Sequence, residues 1–402
     1  MADEPLTHPT FQRSDAVRHH DFATNSATGP GQLIGLDIAD MDFPSPPVAL
    51  HAVHTRASRS DLRYTLASER LRGRITDWYR VRHDWRIQNR DILLFPFGVK
   101  AALRMALETC ADLSRPVVVC TPVYSGILKV ARSAGASVHE VPLEYDAGLR
   151  HTLHPRRLAD ELRRSGAGTL VLCSPHNPVG RVWRPDELIA LATTAEETGT
   201  LVISDEVHSD LVHPGHQHRP WGALAGDNRN WIVLHSAGKT FNVSGLQSSF
   251  AVVGTPGHHK AIRRGLSSWG YYEGSFFGDA VAEEVLTPDG ARWLDTRIHH
   301  LAEVGSRIRR TLADLPVPLP SSPPEAGFLL WIDARALRVA GQPVELAERI
   351  RLRTGVRMLD GTRFGAPTGF LRLNYATDPV LLSTAVTRLA DLGQEETRVV
   401  QR

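Results

Sequence analysis

Trp231-Ile-Val-Leu-His-Ser-Ala-Gly-Lys-Thr-Phe-Asn242 joins an apolar, strand-like run to a turn of small residues that carries a lysine. That lysine stands out by composition. The 402-residue chain has 46 Lys plus Arg, yet its only lysines are Lys100, Lys129, Lys239 and Lys260. An amine can lose its proton and form a Schiff base with an aldehyde or ketone, which a guanidinium cannot do. Lys239, just beyond a strand, is therefore placed where a reactive amine would face a pocket.

Outward from this stretch, short β-rich runs recur: Pro116-Val-Val-Val-Cys-Thr121, Ser137 to Leu143, Thr169-Leu-Val-Leu-Cys173 and Leu201-Val-Ile-Ser204. Helix-length segments separate several of them. In Pro185-Asp-Glu-Leu-Ile-Ala-Leu-Ala192, Pro185 suits a first helical turn and Gly199 suits the stop. Strands alternating with helices predict an α/β domain around a mostly parallel sheet. A proline-rich stretch, Leu315 to Pro324, breaks the pattern before two further runs, Gly327-Phe-Leu-Leu-Trp-Ile332 and Phe370-Leu-Arg-Leu-Asn-Tyr375. The expected division is an N-terminal arm with part of a small domain over residues 1–48, a large domain over 49–289, and a smaller α+β domain over 290–402.

Composition excludes several classes. A formal charge of +2, with no basic cluster among aromatics, gives no reason to expect nucleic acid or an anionic membrane as partner. Cys110, Cys120 and Cys173 are too few and too scattered for a disulfide framework or zinc site. Val212-His-Pro-Gly-His-Gln-His-Arg219 reads as a loop, and no carboxylate or cysteine is placed to complete a metal site with its histidines. No apolar run approaches a membrane span and the acidic N-terminus lacks an apolar core, so a cytoplasmic protein is expected.

In open α/β sheets, ligands bind beyond the carboxyl ends of the strands. Tyr124 follows the first run, Asn177 the third, Asp205 the fourth, and Ser236 and Lys239 the fifth. Taken singly, Asp205 reads as a helix cap, Tyr124 as a core aromatic and Asn177 as a turn residue. Together they meet the needs of pyridoxal phosphate. Lys239 suits the aldehyde, Asp205 a protonated ring nitrogen, Asn177 the phenolic oxygen, and Tyr124 the face of the ring. Phe97-Gly-Val-Lys-Ala-Ala-Leu103 offers Gly98 and a helix start for the phosphate, to which Ser236 adds a hydroxyl.

The chain resembles the fold-type I, aspartate-aminotransferase-like superfamily of pyridoxal-phosphate enzymes, and within it the MalY/PatB branch of cystathionine β-lyase-like proteins. The resemblance runs from about Ile38 to Thr377. It rests on Ile38-Ala-Asp-Met-Asp-Phe43, Asp205-Glu-Val-His-Ser-Asp-Leu211, Lys239-Thr-Phe-Asn242 with Gly245-Leu-Gln247, Trp293-Leu294, Gly361 to Gly365, and Arg372-Leu-Asn374. It implies Lys239 as the Schiff-base lysine, Asp205 as the ring-nitrogen partner, Asn177 as the phenolic-oxygen donor and Tyr124 as the stacking ring. Gly98, Val99 and Ser236 become phosphate ligands, His208 joins the cofactor site and Arg372 takes the substrate carboxylate. Lys100, in the same glycine turn, is expected at the cofactor from its own charge, which can steady the phosphate or a substrate anion. Tyr64 resembles a tyrosine that reaches the phosphate of a neighbouring subunit, which implies a homodimer with shared active sites.

Three positions depart from the branch. Asp37 replaces a tryptophan, Lys100 an apolar residue, and Tyr271-Tyr-Glu-Gly-Ser-Phe-Phe277 a Ser-x-Asn-x-Phe pattern. Asp37 and Tyr271 are expected near the substrate. The implied reaction is β-elimination from a cysteine S-conjugate or cystathionine-like amino acid. Transamination, an atypical reaction on a specialised amino acid, and a regulatory role are the alternatives.

Overall fold

The computed structural model describes residues 33–59, 62–65, 67–337 and 345–400. The arm expected over residues 1 to about 35 falls almost wholly outside them. Seven strands form the central sheet: Ile92–Phe95 (β1), Val117–Thr121 (β2), Val138–Pro142 (β3), Thr169–Cys173 (β4), Leu201–Asp205 (β5), Trp231–His235 (β6) and Ser249–Val253 (β7). Their order is β1-β7-β6-β5-β4-β2-β3. From β6 to β3 every pairing is parallel, while β7 runs antiparallel to both β6 and β1.

Parallel strands covered on both faces lose the alternation of a half-exposed strand and read as continuous apolar runs. Every residue of six strands is buried, and only the edge strand β3 is partly exposed. Successive side chains feed two separate cores: Ile92, Leu94, Val118 and Cys120 enter one, while Leu93, Phe95, Val117 and Val119 enter the other. The expected runs match β2 to β6. Strands β1 and β7 were not singled out, because a four- or five-residue apolar run carries no period that separates strand from buried helix. The helix after β4 spans Pro185–Thr198, with Pro185 in its first turn and Gly199 ending it at φ 63°.

A second sheet is antiparallel in the order β8-β10-β9, from Leu329–Asp333 (β8), Leu359–Asp360 (β9) and Phe370–Asn374 (β10). The N-terminal strand Ile34–Gly35 pairs with Val356–Arg357, so the first described segment belongs with the last third of the chain. The helix Pro288–Ala313 passes this region at Gly305, where a Cβ would lie 2.9 Å from the Tyr375 ring. Among the described residues, no helix is long and apolar enough to cross a membrane.

A buried ionic cluster ties the two sheets together. Arg181, 1% exposed, donates to Glu325 at 2.5 Å and to Glu187 at 3.2 Å, while its Nε donates to the His151 carbonyl at 2.7 Å. Glu325 also accepts from the Val182 amide and from Arg150. Removing one member of such a cluster leaves buried charge uncompensated, at a cost of about 3–5 kcal/mol. Arg181→Met is therefore expected to lower the urea midpoint by that amount of stability, whereas Arg80→Met, on an exposed pair with Asp77, should shift it by less than about 1 kcal/mol. Equal midpoints for the two variants would contradict this role.

Candidate active site

At the carboxyl ends of β2, β4, β5 and β6 lies a cavity of about 470 Å³. Its wall contains Asp37, Gly98, Val99, Lys100, Tyr124, Asn177, Asp205, His208, Ser236, Lys239 and Arg372. Eleven residues from seven segments thus meet, all drawn from the sequence expectations.

Asp205 ends β5 and is buried, and burial pushes its carboxyl up to about 6. Its recorded hydrogen bond comes from the Val207 amide at 3.3 Å, a weak one that leaves the group able to take a further donor. Asn177 is also buried, and its Oδ1 has no hydrogen-bond partner. Tyr124 is held by its amide on the Asn177 carbonyl at 2.9 Å. Its ring lies over Gly126, where a Cβ would approach Cε1 to 2.4 Å. A glycine is required there to give the ring its place.

Lys239 rides on the short helix Ala237–Thr240. Its amine donates to the Ala39 carbonyl and pairs with Asp40 at 3.2 Å. The Ser236 hydroxyl lines the cavity, accepts from the Gly238 amide at 3.0 Å and donates to the Ser248 carbonyl, so it also caps the lysine-bearing turn.

Arg372, central in β10, enters the cavity from the second sheet. The guanidinium is buried beside the face of Phe364 at 5.1 Å, and burial lowers its pKa to about 10. Nη2 donates to the Asp37 carbonyl, while Nε and Nη1 have no partner. Asp37 itself pairs with Arg357 at 3.1 Å, leaving one buried carboxylate oxygen without a partner.

The segment carrying Asp37 to Phe43 is strapped across the cavity by two asparagines whose roles the sequence reading did not assign. Asn374 donates to the carbonyls of Ile38 at 2.6 Å and Asp40 at 2.7 Å. Asn242, at φ 55°, takes the Met41 amide at 3.1 Å and donates to the carbonyls of Met41 and Phe43. The available signal was their position, each two or three residues beyond a reactive cation.

Also missed was the buried network beneath the lysine. Asp210 accepts from Trp78 at 2.9 Å, His83 at 2.8 Å and Thr240, the neighbour of Lys239, at 3.0 Å, and pairs with His235 at 3.2 Å. Burial works to raise its pKa, but the His235 and His83 rings hold it well below the usual carboxylate range. His208 has a buried Nδ1 without a partner, and burial together with Lys239 and Arg372 lowers its pKa to about 3. His213 faces the backbone carbonyls of Pro324 and Gly327 with its two ring nitrogens, where a ring N–H donates, and His218 pairs with Glu206 at 3.1 Å.

Two expected site residues lie elsewhere. Tyr271 follows Gly270, at φ 77°, packs edge-on against Phe97 at 5.5 Å and lines a separate groove with Arg72 and Glu273. Tyr64 is 97% exposed and touches Tyr272 edge-on, outside this chain's own cavity.

Known proteins resemble this chain in sequence and fold. Cystathionine beta-lyase PatB of Bacillus subtilis is 30% identical over 369 residues, covering 89% of this chain and 94% of its own length. The crystal structure of OvoB superposes with a TM-score of 0.86 at 29% identity, covering 96% of this chain and 97% of that one. A PLP-bound protein of Clostridium difficile 630 superposes with a TM-score of 0.83 at 25% identity, covering 90% and 92%. The expected fold type I, with a mostly parallel sheet in its larger part, agrees with these neighbours. The family model for aminotransferase class I and II matches residues 31–389, nearly the whole described chain, and the chain belongs to that family.

Proposed function

We propose that this protein is a pyridoxal-phosphate-dependent carbon–sulfur β-lyase that cleaves a cysteine S-conjugate or cystathionine-like amino acid to a thiol, pyruvate and ammonia. The observation that carries the reading is Arg372: a buried guanidinium with two unpartnered nitrogens, in one cavity with the Lys239 amine and the Asp205 carboxyl. A buried cation of this kind is costly unless an anion reaches it, and an amino-acid carboxylate matches its planar fork. The likeness to PatB over nearly its full length supports a sulfur leaving group.

The residues present fit the cofactor. Asp205 has capacity for a charged ring N–H, Asn177 has an unfilled amide, Tyr124 supplies a flat face, and Gly98 opens the helix Val99–Cys110 without a side-chain cap. When bound, pyridoxal phosphate supplies an electron sink conjugated to the substrate Cα. Arg372 holds the carboxylate and fixes the Cα–H bond toward Lys239, and the lysine amine takes that proton. Lys239, now an ammonium, can return the proton to the departing thiolate. Asp205 holds the ring nitrogen protonated, and the Tyr124 ring keeps water from one face. Transamination would use the same grip by Arg372 and the same proton removal by Lys239, and differs in needing a 2-oxo acid acceptor. A two-fold dimer belongs to this proposal: Tyr64 and Tyr272, 97% and 72% exposed, would be covered by the partner, with Tyr64 at the partner's site. The division at residues 48/49 and 289/290 belongs to it as well.

Purified protein given S-substituted cysteines should release pyruvate and thiol without an added 2-oxo acid. Strict dependence on that acceptor would instead identify an aminotransferase. Lys239→Ala is expected to lower kcat by at least about 10³-fold, and full turnover in that variant would remove the lysine from the mechanism.

Asp205 also links function to stability. Its folded-state pKa is raised from 3.8 to about 6, so in the cofactor-free protein the folded state keeps a proton that the unfolded state releases. Stability from this group is therefore lost as pH rises through the window between those values, by up to about 3 kcal/mol. Cofactor-free Asp205→Asn should be more stable than wild type at pH 8 and little different at pH 4, while losing most of its activity. Urea midpoints at the two pH values decide this, and a variant less stable at pH 8 would contradict it.

A further inference from the structure

A phosphate dianion in this cavity needs a positive partner, and the wall holds three cationic side chains: Lys100, Lys239 and Arg372. Two are engaged elsewhere. Lys239 is paired with Asp40, and Arg372 is bound to the Asp37 carbonyl at the second sheet. Lys100 is exposed and makes no hydrogen bond or ion pair with a described residue.

Its location is electrostatically unfavourable in the protein alone. Lys100 is the second residue of the helix Val99–Cys110, whose first turn carries no acidic residue and whose N-cap, Gly98, provides no side-chain acceptor. A cation beside the positive end of a helix is repelled by the dipole unless an anion sits between them. The other polar side chains at this end of the wall, Ser236, Ser244, Gln247 and Ser248, are neutral. Gln247 lies over Gly98, with Oε1 3.1 Å from where a Cβ would stand, and donates its amide to the Ser244 carbonyl. The Ser236 hydroxyl proton is given to Ser248. Independent signs of an absent ligand lie in the same cavity: Asn177 and His208 are each more than nine-tenths buried, with unpartnered Oδ1 and Nδ1.

We infer that Lys100 is the cationic partner of the cofactor phosphate and sets the preference of this site for the phosphorylated cofactor, an inference that rests on the pyridoxal-phosphate reading above. The amine and the first-turn amides of its helix form a cradle for one dianion, which turns a repulsive pair into an attractive triad. A single charge-assisted contact of this kind is worth about a factor of ten in affinity.

The test measures dissociation constants of pyridoxal phosphate and of phosphate-free pyridoxal by fluorescence titration of the cofactor-free protein. Wild type, Lys100→Met and the control Lys129→Met, at an exposed lysine outside the cavity, are compared. Lys100→Met should bind pyridoxal phosphate about tenfold more weakly, bind pyridoxal as wild type does, and show a flatter dependence on salt. Lys129→Met should match wild type in all three respects. In the Lys100→Met background, Gln247→Arg should restore part of the lost affinity by bringing a cation over Gly98. A Lys100→Met protein that keeps the full wild-type preference for the phosphorylated form overturns the inference. Equal affinity of wild type for the two compounds would instead overturn the cofactor reading itself.

Discussion

The Asp210 carboxylate is the point on which the geometry of the site depends. It gathers a tryptophan and a histidine from the helix Glu69–Arg82 and the residue after it, a histidine from the end of β6, and the threonine beside the reactive lysine. A fully buried charge with four partners is costly to disturb, since loss of any one leaves polar atoms with no water to replace it. The network thus fixes the turn from which Lys239 projects. It does so from below, through Thr240, while Ser236 caps the same turn from the side. A lysine on a four-residue helix has little intrinsic order, and here the order comes from its buried neighbours.

The opposite wall obeys a different logic. The Asp37–Phe43 segment is held by side-chain amides rather than by a strand ladder, and it lies between the two cations that the proposed chemistry needs. Its carbonyls accept from Lys239 and Arg372, so the cations are satisfied by groups that a substrate carboxylate or a cofactor aldehyde can replace. Carbonyl acceptors are neutral, so exchanging one for a carboxylate gains charge assistance. Arg372 retains two unpartnered nitrogens, which keeps the buried site poised for an anion.

Much of this was legible in the chain because the functional residues follow apolar runs directly. Strands β2, β4, β5 and β6 end within a few residues of Tyr124, Asn177, Asp205 and Lys239, and a parallel sheet places those ends along one rim. Strands β1 and β7 were not seen, since both are brief apolar runs without a period. Ser236 was read as a phosphate ligand from its place after a strand, and its capping of the lysine-bearing turn was not foreseen. Tyr271 was placed at the substrate from its neighbours in the sequence, and in this chain it lines another groove. These failures share a cause: a local pattern specifies where the backbone turns, but not which of several acceptors a side chain reaches.

By itself, the sequence determined the α/β layering, the rim of reactive residues and the exceptional status of Lys239, because each depends on composition or short-range order. The tertiary structure decided what surrounds them. The Arg372–Asp37 contact spans 335 positions, the Asn242–Met41 contact 201, and the Trp78–Asp210 contact 132. No hydrophobic period encodes pairings at such distances, since they arise only when two sheets and a crossing segment close on one cavity. That closure left Lys100 at a helix start with no hydrogen bond or ion pair to a described residue, which its place in the glycine turn alone could not decide.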